Sequence, residues 1–534
     1  MKTIFAVLLV FGFALAPPAR AGINGKWAAP SSGAVLELES DGGRLTGWLS
    51  QPNNRVPITN GSIQGNTVSF EMTLNAQGRS LKLFYSGELE GDELHLVLRA
   101  AGQPGEEHLT LRRVDPRAPL DRFSEGPAPG KIAAWLKANA IPLDSVQLDA
   151  GFADMAHLKA HLQNARIVAM GEATHGTREF QQLKIRLFRF LVEQLGFTVF
   201  GIEANWPESL AVNDYVLGGS GDPERGLGFA AWQTEDMLAL LRWMRQYNQD
   251  PAHTRKLKFY GFDMQMPGLA EANVLSYLRR VDPEMLDTAA HVFDLLGYWA
   301  GNEKYETASA EVKGRTADTL AMLLRRFDEH RPDYIRKSTD REWTMARQNL
   351  VIVKQAEVKL GNQNERGRTF RDQAMAENVR WILDQESPGT KMMLWAHNGH
   401  VAAAAGPDAP DHLPMGAHLH KIFGDQIISC GFIFEEGSFR AVDMTTNESR
   451  AFTVGPPPRG SLDATLADVG MPLYAIDIRK LSDGEVGAWF AAPHFSRQIG
   501  GGYSEETPGV WMHRISAARD FDLLIFVAKT TPSR

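Results

Sequence analysis

Cysteine is all but missing from this chain of 534 residues: Cys430 stands alone. Neither an internal disulfide nor a cysteine-rich metal site can form. Long apolar runs are missing beyond the first residues, and no helix crosses a bilayer without about 20 apolar residues in succession. Lysine and arginine never gather into a run. With 56 basic residues against 64 acidic ones and a net charge of −8, the chain has neither a nucleic-acid footprint nor a polybasic membrane patch. Several catalytic signatures are absent too. There is no G-x-S-x-G elbow, no Walker loop and no dinucleotide fingerprint. His157 and His161 have the spacing of a zinc-binding H-E-x-x-H, but Leu158 stands where the glutamate belongs. Cys430 itself lies in an apolar run and reads as a packed, inert residue.

What is present is core material. Hydrophobic residues make up 43% and charged residues 22%, with 12 tryptophans, which excludes collagen, a coiled-coil rod and a disordered chain. The length predicts about two to four domains. Residues 1–21 form a secretory signal peptide by pattern: Lys2 is the positive start, Ile4 to Leu15 the short apolar run, and Ala19-Arg20-Ala21 the cleavage site. The expected mature chain starts at Gly22, is exported to the periplasm or beyond, and has no membrane span.

Residues 22–113 alternate with period two in short runs such as Ala34–Glu39, Thr67–Thr73, Leu81–Tyr85 and Leu94–Leu98. Turn signals at Asp41-Gly42-Gly43, Asn60-Gly61, Gly65-Asn66 and Glu90-Gly91-Asp92 separate them. This predicts a small antiparallel barrel or sandwich. Residues 114–130 carry four prolines and read as a linker. Residues 131–534 then alternate apolar strand-like runs with helical stretches. The strands expected are Arg166–Met170, Phe197–Ile202, Leu257–Phe262, Met392–Trp395, Ile427–Phe434, Leu473–Ile478 and Leu523–Val527. The fold class is α/β, with a mostly parallel central sheet, flanking helices and an inserted helical region over about 268–385.

The densest chemical signal runs from Arg166 to Trp206. A strand exits at Gly171, a helix opens after Thr177 as its N-cap and ends at Gly196, and a second strand follows. This βαβ pattern predicts that the two strands are parallel neighbours. Glu172 and Glu203 then project beyond the carboxyl ends of their strands, where open α/β sheets bind ligands. His175 lies between them. A carboxylate that holds one ring nitrogen leaves the other to accept a proton from water, the posture of a general base. A second constellation follows Met392–Trp395, where His397 and His400 sit three apart in a polar turn. Asp263 ends another strand at the same expected edge, and Arg371-Asp372 opens a helical stretch as a structural ion pair.

Gly171-Glu172-Ala173-Thr174-His175-Gly176-Thr177, Glu179-Phe180, Lys184, Gly201-Ile202-Glu203-Ala204 and Trp395-Ala396-His397-Asn398-Gly399-His400 together resemble the erythromycin esterase family. Tyr260-Gly261-Phe262-Asp263, Arg371-Asp372 with Met375-Ala376, and Met415-Gly416 follow in family-like order. The resemblance covers roughly residues 131–534, and the β module lies outside it. It implies a hydrolase without metal or other cofactor that acts on a small-molecule ester, as relatives open the macrolactone of erythromycin-type antibiotics. His175 would be the base that activates water, oriented by Glu172 and Glu203, while His397 and His400 would serve the substrate carbonyl or the leaving alkoxide. Lys184, Asp263 and Arg371 would contact substrate. Some relatives carry arginine at the position of Lys184, so a point charge replaces a planar two-point contact here. Two other readings of the same residues stand beside this one. One is a zinc hydrolase using His175, His397 and His400; the other is a non-catalytic exported binding protein.

Overall fold

The computed structural model describes residues 22–28, 35–51, 54–76, 79–102, 105–114, 120–297, 305–362 and 365–534. The expected signal peptide and residues 115–119 of the expected linker lie outside them. Two compact units result, the first built from residues within 22–74 and 80–114 and the second holding residues 120–534.

In the first unit, strands β1 (Gly25–Ala28), β2 (Val35–Asp41), β3 (Arg44–Gln51), β4 (Asn54–Gln64), β5 (Thr67–Ala76), β6 (Arg79–Glu90), β7 (Glu93–Ala100) and β8 (Glu107–Val114) close into an antiparallel barrel in sequence order. Alternate residues such as Leu36 and Leu38, Val68 and Phe70, and Leu94 and Leu96 are buried inside it, as period two demands. One expected turn is absent. Asn60-Gly61 lies within β4, where Asn60 has φ 49° and the register against β5 shifts between Thr59 and Ser62. A left-handed residue here makes a bulge instead of a hairpin.

The second unit holds a sheet whose strands are β9 (Ile141–Pro142), β10 (Ile167–Met170), β11 (Val199–Asn205), β12 (Lys258–Asp263), β13 (Met392–Trp395), β14 (Ile427–Asp443), β15 (Ser449–Val454), β16 (Leu473–Asp477), β18 (Gly502–Tyr503) and β20 (Leu523–Thr530). Its order is β12-β11-β13-β10-β14-β20-β16-β9, with β15 and β18 also paired to β14. A separate ribbon joins β17 (His494–Arg497) to β19 (Met512–Ile515). The sheet is parallel from β12 through β20. Successive residues point to opposite faces, so Ile167 and Ala169 join one buried cluster and Val168 and Met170 the other. Both faces are covered, which explains the nearly unbroken apolar runs of these strands.

Two topological expectations need correction. β10 and β11 are parallel but not adjacent, because β13 pairs with both and lies between them. The chain leaves after β11 and returns much later to fill the central slot. Leu473–Asp477 runs antiparallel to β20, so the sheet is mixed at that edge. Between β12 and β13 the described residues are helical: Gly268–Val281, Leu286–Leu296, Ala310–Glu329, Arg331–Lys337, Asp340–Gly361 and Glu365–Asp384. Their apolar sides, including Val274, Leu278, Leu350, Val353 and Met375, pack into the cluster that holds Ile167 and Ala169. Among the described residues no helix is long and apolar enough to cross a membrane.

Candidate active site

Four neighbouring parallel strands deliver the chemistry to one edge of the sheet. Asp263 ends β12, Glu203 lies two residues before the end of β11, His397 follows β13, and Glu172 and His175 follow β10. Asn398 N–H donates to Glu172 O at 2.9 Å, so the turns after β13 and β10 are bonded directly. The crevice at the carboxyl ends of the strands is where this architecture binds ligands.

Glu172 has no exposed surface and is fully occupied. Its Oε1 lies 2.6 Å from His175 Nδ1, while Oε2 accepts from Lys184 Nζ at 2.6 Å and from Trp395 Nε1 at 2.7 Å. An ionised carboxylate only accepts, so in its neutral form His175 carries its proton on Nδ1 and presents a lone pair at Nε2. Lys184 comes from the helix Arg178–Leu195, which buries Leu183, Leu187, Phe190 and Leu191 and ends at left-handed Gly196. Thr177 begins that helix but its hydroxyl bonds Thr174 at 2.6 Å and caps nothing. Burial drives the Lys184 ammonium down to about 8, although Glu172 beside it pulls the other way. The ammonium also lies 4.4 Å from the Trp395 ring centre, where a cation is favoured.

The ring of His175 meets those of Trp232 and His397 edge to face, with centroids 5.2 and 5.6 Å away. His397 Nδ1 accepts from Gly399 N–H at 3.1 Å, which assigns its own proton to Nε2. That nitrogen is buried and has no hydrogen-bond partner among the described residues. Burial, with His175 and His400 close by, holds His397 well below the ordinary imidazole range, so it stays neutral.

Glu203 orders the other half of the site. Its Oε2 accepts from His397 N–H at 3.0 Å, and its Oε1 lies 2.8 Å from Arg371 Nη2 and 3.3 Å from His400 Nε2. Burial alone would raise this carboxyl, but His400 and Arg371 hold it well below the ordinary carboxylate range. Arg371, from the helix Glu365–Asp384, also clamps Asp263 at 2.7 and 3.2 Å. His400 Nδ1 lies 2.7 Å from Asp372 Oδ1. Burial opposes its charge, yet Asp372 and Glu203 outweigh it and raise His400 to about 10. In the imidazolium form Nε2–H points to Glu203, and the 3.1 Å approach of Arg371 Nη1 is a like-charge contact that the carboxylates compensate.

All eight residues singled out in the sequence thus converge, though not all as expected. Lys184 and Asp263, anticipated as substrate contacts, have no exposed side-chain surface and pair with Glu172 and Arg371 instead. The expected Arg371-Asp372 pair is replaced by other partners: Arg371 meets Glu203 and Asp263, while Asp372 backs His400, accepts from Met415 N–H at 2.8 Å and lies 3.1 Å from His412 Nε2. Trp232, which donates to Glu203 O at 2.8 Å, gave no sequence signal because its 3-10 turn (Ala230–Trp232) lacks periodicity.

An α/β sheet whose edge holds a carboxylate-backed imidazole facing a second, donating imidazole has the parts a hydrolytic site requires. The sequence model described as erythromycin esterase matches residues 192–530, and this chain belongs to that family; it is a hydrolase that acts on ester bonds. Glu172, His175 and Lys184 lie just ahead of the matched stretch. The erythromycin esterase type II of Escherichia coli is 27% identical over 384 residues, covering 66% of this chain and 90% of that protein. A crystal structure of a Bacillus cereus protein aligns with a TM-score of 0.67 at 27% identity, over 76% of this chain and 98% of that one. An erythromycin esterase mutant in its open conformation shares the fold, with a TM-score of 0.58 at 16% identity, over 73% of this chain and 97% of that one.

Proposed function

We propose that the chain is exported and hydrolyses a macrolactone or a similar carboxylic ester by histidine-activated water, without a metal ion. The observation that carries this reading is the opposite character of two facing nitrogens, the lone pair of His175 Nε2 and the N–H of His397 Nε2. His175 takes a proton from water as the oxygen bonds to the acyl carbon. His397 donates to the carbonyl oxygen, where negative charge gathers. The acyl C–O bond then breaks and the departing alkoxide takes a proton from the imidazolium of His175, yielding acid and alcohol. His400, cationic between Asp372 and Glu203, fixes Glu203 and through it the backbone of His397.

The metal-free reading is supported by the way the polar atoms are spent. Both oxygens of Glu172 and both of Glu203 already have protein partners. Export rests on the N-terminal pattern, and opening a macrolide outside the cytoplasm would make the host resistant to it.

Purified protein is incubated with a panel of macrolides and simple esters, and the products are weighed. Addition of one water to a panel member, unaffected by exhaustive chelation and dialysis, is the expected result. Activity lost on chelation and regained with zinc would overturn the metal-free reading. A wild type inert on the whole panel would count against the substrate class. N-terminal sequencing of the exported protein should begin at Gly22.

A further inference from the structure

The run Gly500-Gly501-Gly502 has no role in the chemistry so far, yet it lies against it. Ile499 N–H and Gly500 N–H both donate to Ala173 O, at 2.7 and 3.2 Å. His175 N–H donates to Gly500 O at 3.1 Å, and Val442 N–H donates to Gly501 O at 2.9 Å. These bonds stitch the loop to the segment that carries His175 and to β14. A Cβ built on Gly500 would stand 3.8 Å from His397 Nε2 and 3.9 Å from His175 Nε2, and one on Gly501 would stand 3.3 Å from His175 Cδ2.

We infer that the space facing the missing side chain of Gly500, between the two Nε2 atoms, is the seat of the attacking water, and that Gly500 is the positioning residue that keeps it open. The inference rests on the reading of His175 as the base. A water bonded to His175 Nε2 sits about 3 Å from it, whereas a carbon needs about 3.5–4 Å from any non-bonded neighbour. A carbon in van der Waals contact with both nitrogens would compete with a water for the space beside them. Gly500 also has φ +66°, a conformation that favours glycine for a separate reason, so the test must separate volume from backbone strain.

Gly500→Ala and Gly500→Asn do so, since asparagine tolerates the left-handed conformation better than alanine. Two readouts are taken on each. One is kcat and KM on the best ester of the panel. The other is labelling of His175 by diethyl pyrocarbonate, followed by mass on its peptide, which reports access to the imidazole whether or not an ester is turned over. Both variants should lose at least about a hundredfold in kcat with KM little changed, and their His175 should label several-fold more slowly. Wild-type kcat in Gly500→Asn, or unchanged labelling in both variants, would overturn the assignment. Should both variants unfold, a high-resolution crystal structure of the wild type decides. An ordered water in hydrogen-bond reach of His175 Nε2 and in contact with Gly500 supports the inference, and a protein side chain in that place refutes it. A wild type that turns over no ester but shows the labelling difference would instead sink the hydrolytic reading and leave the open volume standing.

Discussion

His175 and His397 face each other with ring centroids 5.6 Å apart and an angle of 71° between their planes, one offering a lone pair and the other an N–H. The two functions separate by substitution. His175→Ala removes the base and should lower kcat by about 10²–10⁴-fold. His397→Ala removes a donor to the oxyanion and should cost about 10²–10³-fold. Because both serve one step, the double variant should fall little below the worse single one. Steady-state kinetics on the best ester decides, and a His397→Ala enzyme as fast as wild type would strip His397 of its role.

Glu172 serves His175 with one oxygen and Lys184 and Trp395 with the other. Glu172→Gln supplies one oxygen where two are used, so the imidazole proton is no longer held on Nδ1. A loss of about 10³–10⁴-fold in kcat is expected, the size seen when an orienting carboxylate becomes an amide. The same change leaves the Lys184 ammonium buried without a counter-charge, which costs about 3–5 kcal/mol and should lower the thermal midpoint. Adding Lys184→Met should restore stability but not rate. Recovery of both would show that Glu172 merely neutralises the lysine.

Lys184 sets an alkaline limit. Its ammonium titrates at about 8 instead of 10.5, so turnover should decline above about pH 8 as Glu172 loses its neighbouring cation. Arginine stays charged throughout this range, so Lys184→Arg should extend the pH–rate profile upward. The stability contribution has the opposite sign. Between about 8 and 10.5 the unfolded lysine holds a proton that the folded one has released, so raising the pH through that window favours the fold at this residue.

His400 behaves in the reverse sense. Its folded value of about 10 lies above the ordinary 6.5, so its contribution to stability is complete below 6.5 and is lost as the pH rises through about 10. Asp372→Asn removes the stronger of its two counter-charges. The wild-type advantage in thermal midpoint over this variant should be full at about pH 6 and shrink as the pH rises toward 10. A constant difference across that range would mean that Asp372 acts through packing or its bond to Met415, not through the charge on His400.

The strand ends were legible because each chemical residue follows a short apolar run that can only be a buried strand. Glu172, Glu203, Asp263 and His397 all reach the same edge on that argument alone. Strand order was not. Sequence adjacency favours pairing of β10 with β11, and nothing local in Met392–Trp395 says that it enters between them. Lys184 was named only by the family resemblance and Arg371 by its place at the start of a helical stretch, and periodicity does not tell which carboxylate a long side chain meets. Gly500 was invisible for a different reason: its contribution is a side chain it lacks, and that has meaning only against two imidazoles already in place.

The late arrival of β13 bears on how the molecule comes to exist at all. A chain interrupted within the helical segment would own Glu172, His175 and Glu203 but would expose the unpaired apolar edges of β10 and β11, the kind of surface that seeds aggregation. Half-built enzyme should therefore precipitate instead of working slowly, and assembly of this sheet waits on contacts between distant parts of the polypeptide, which makes folding slow.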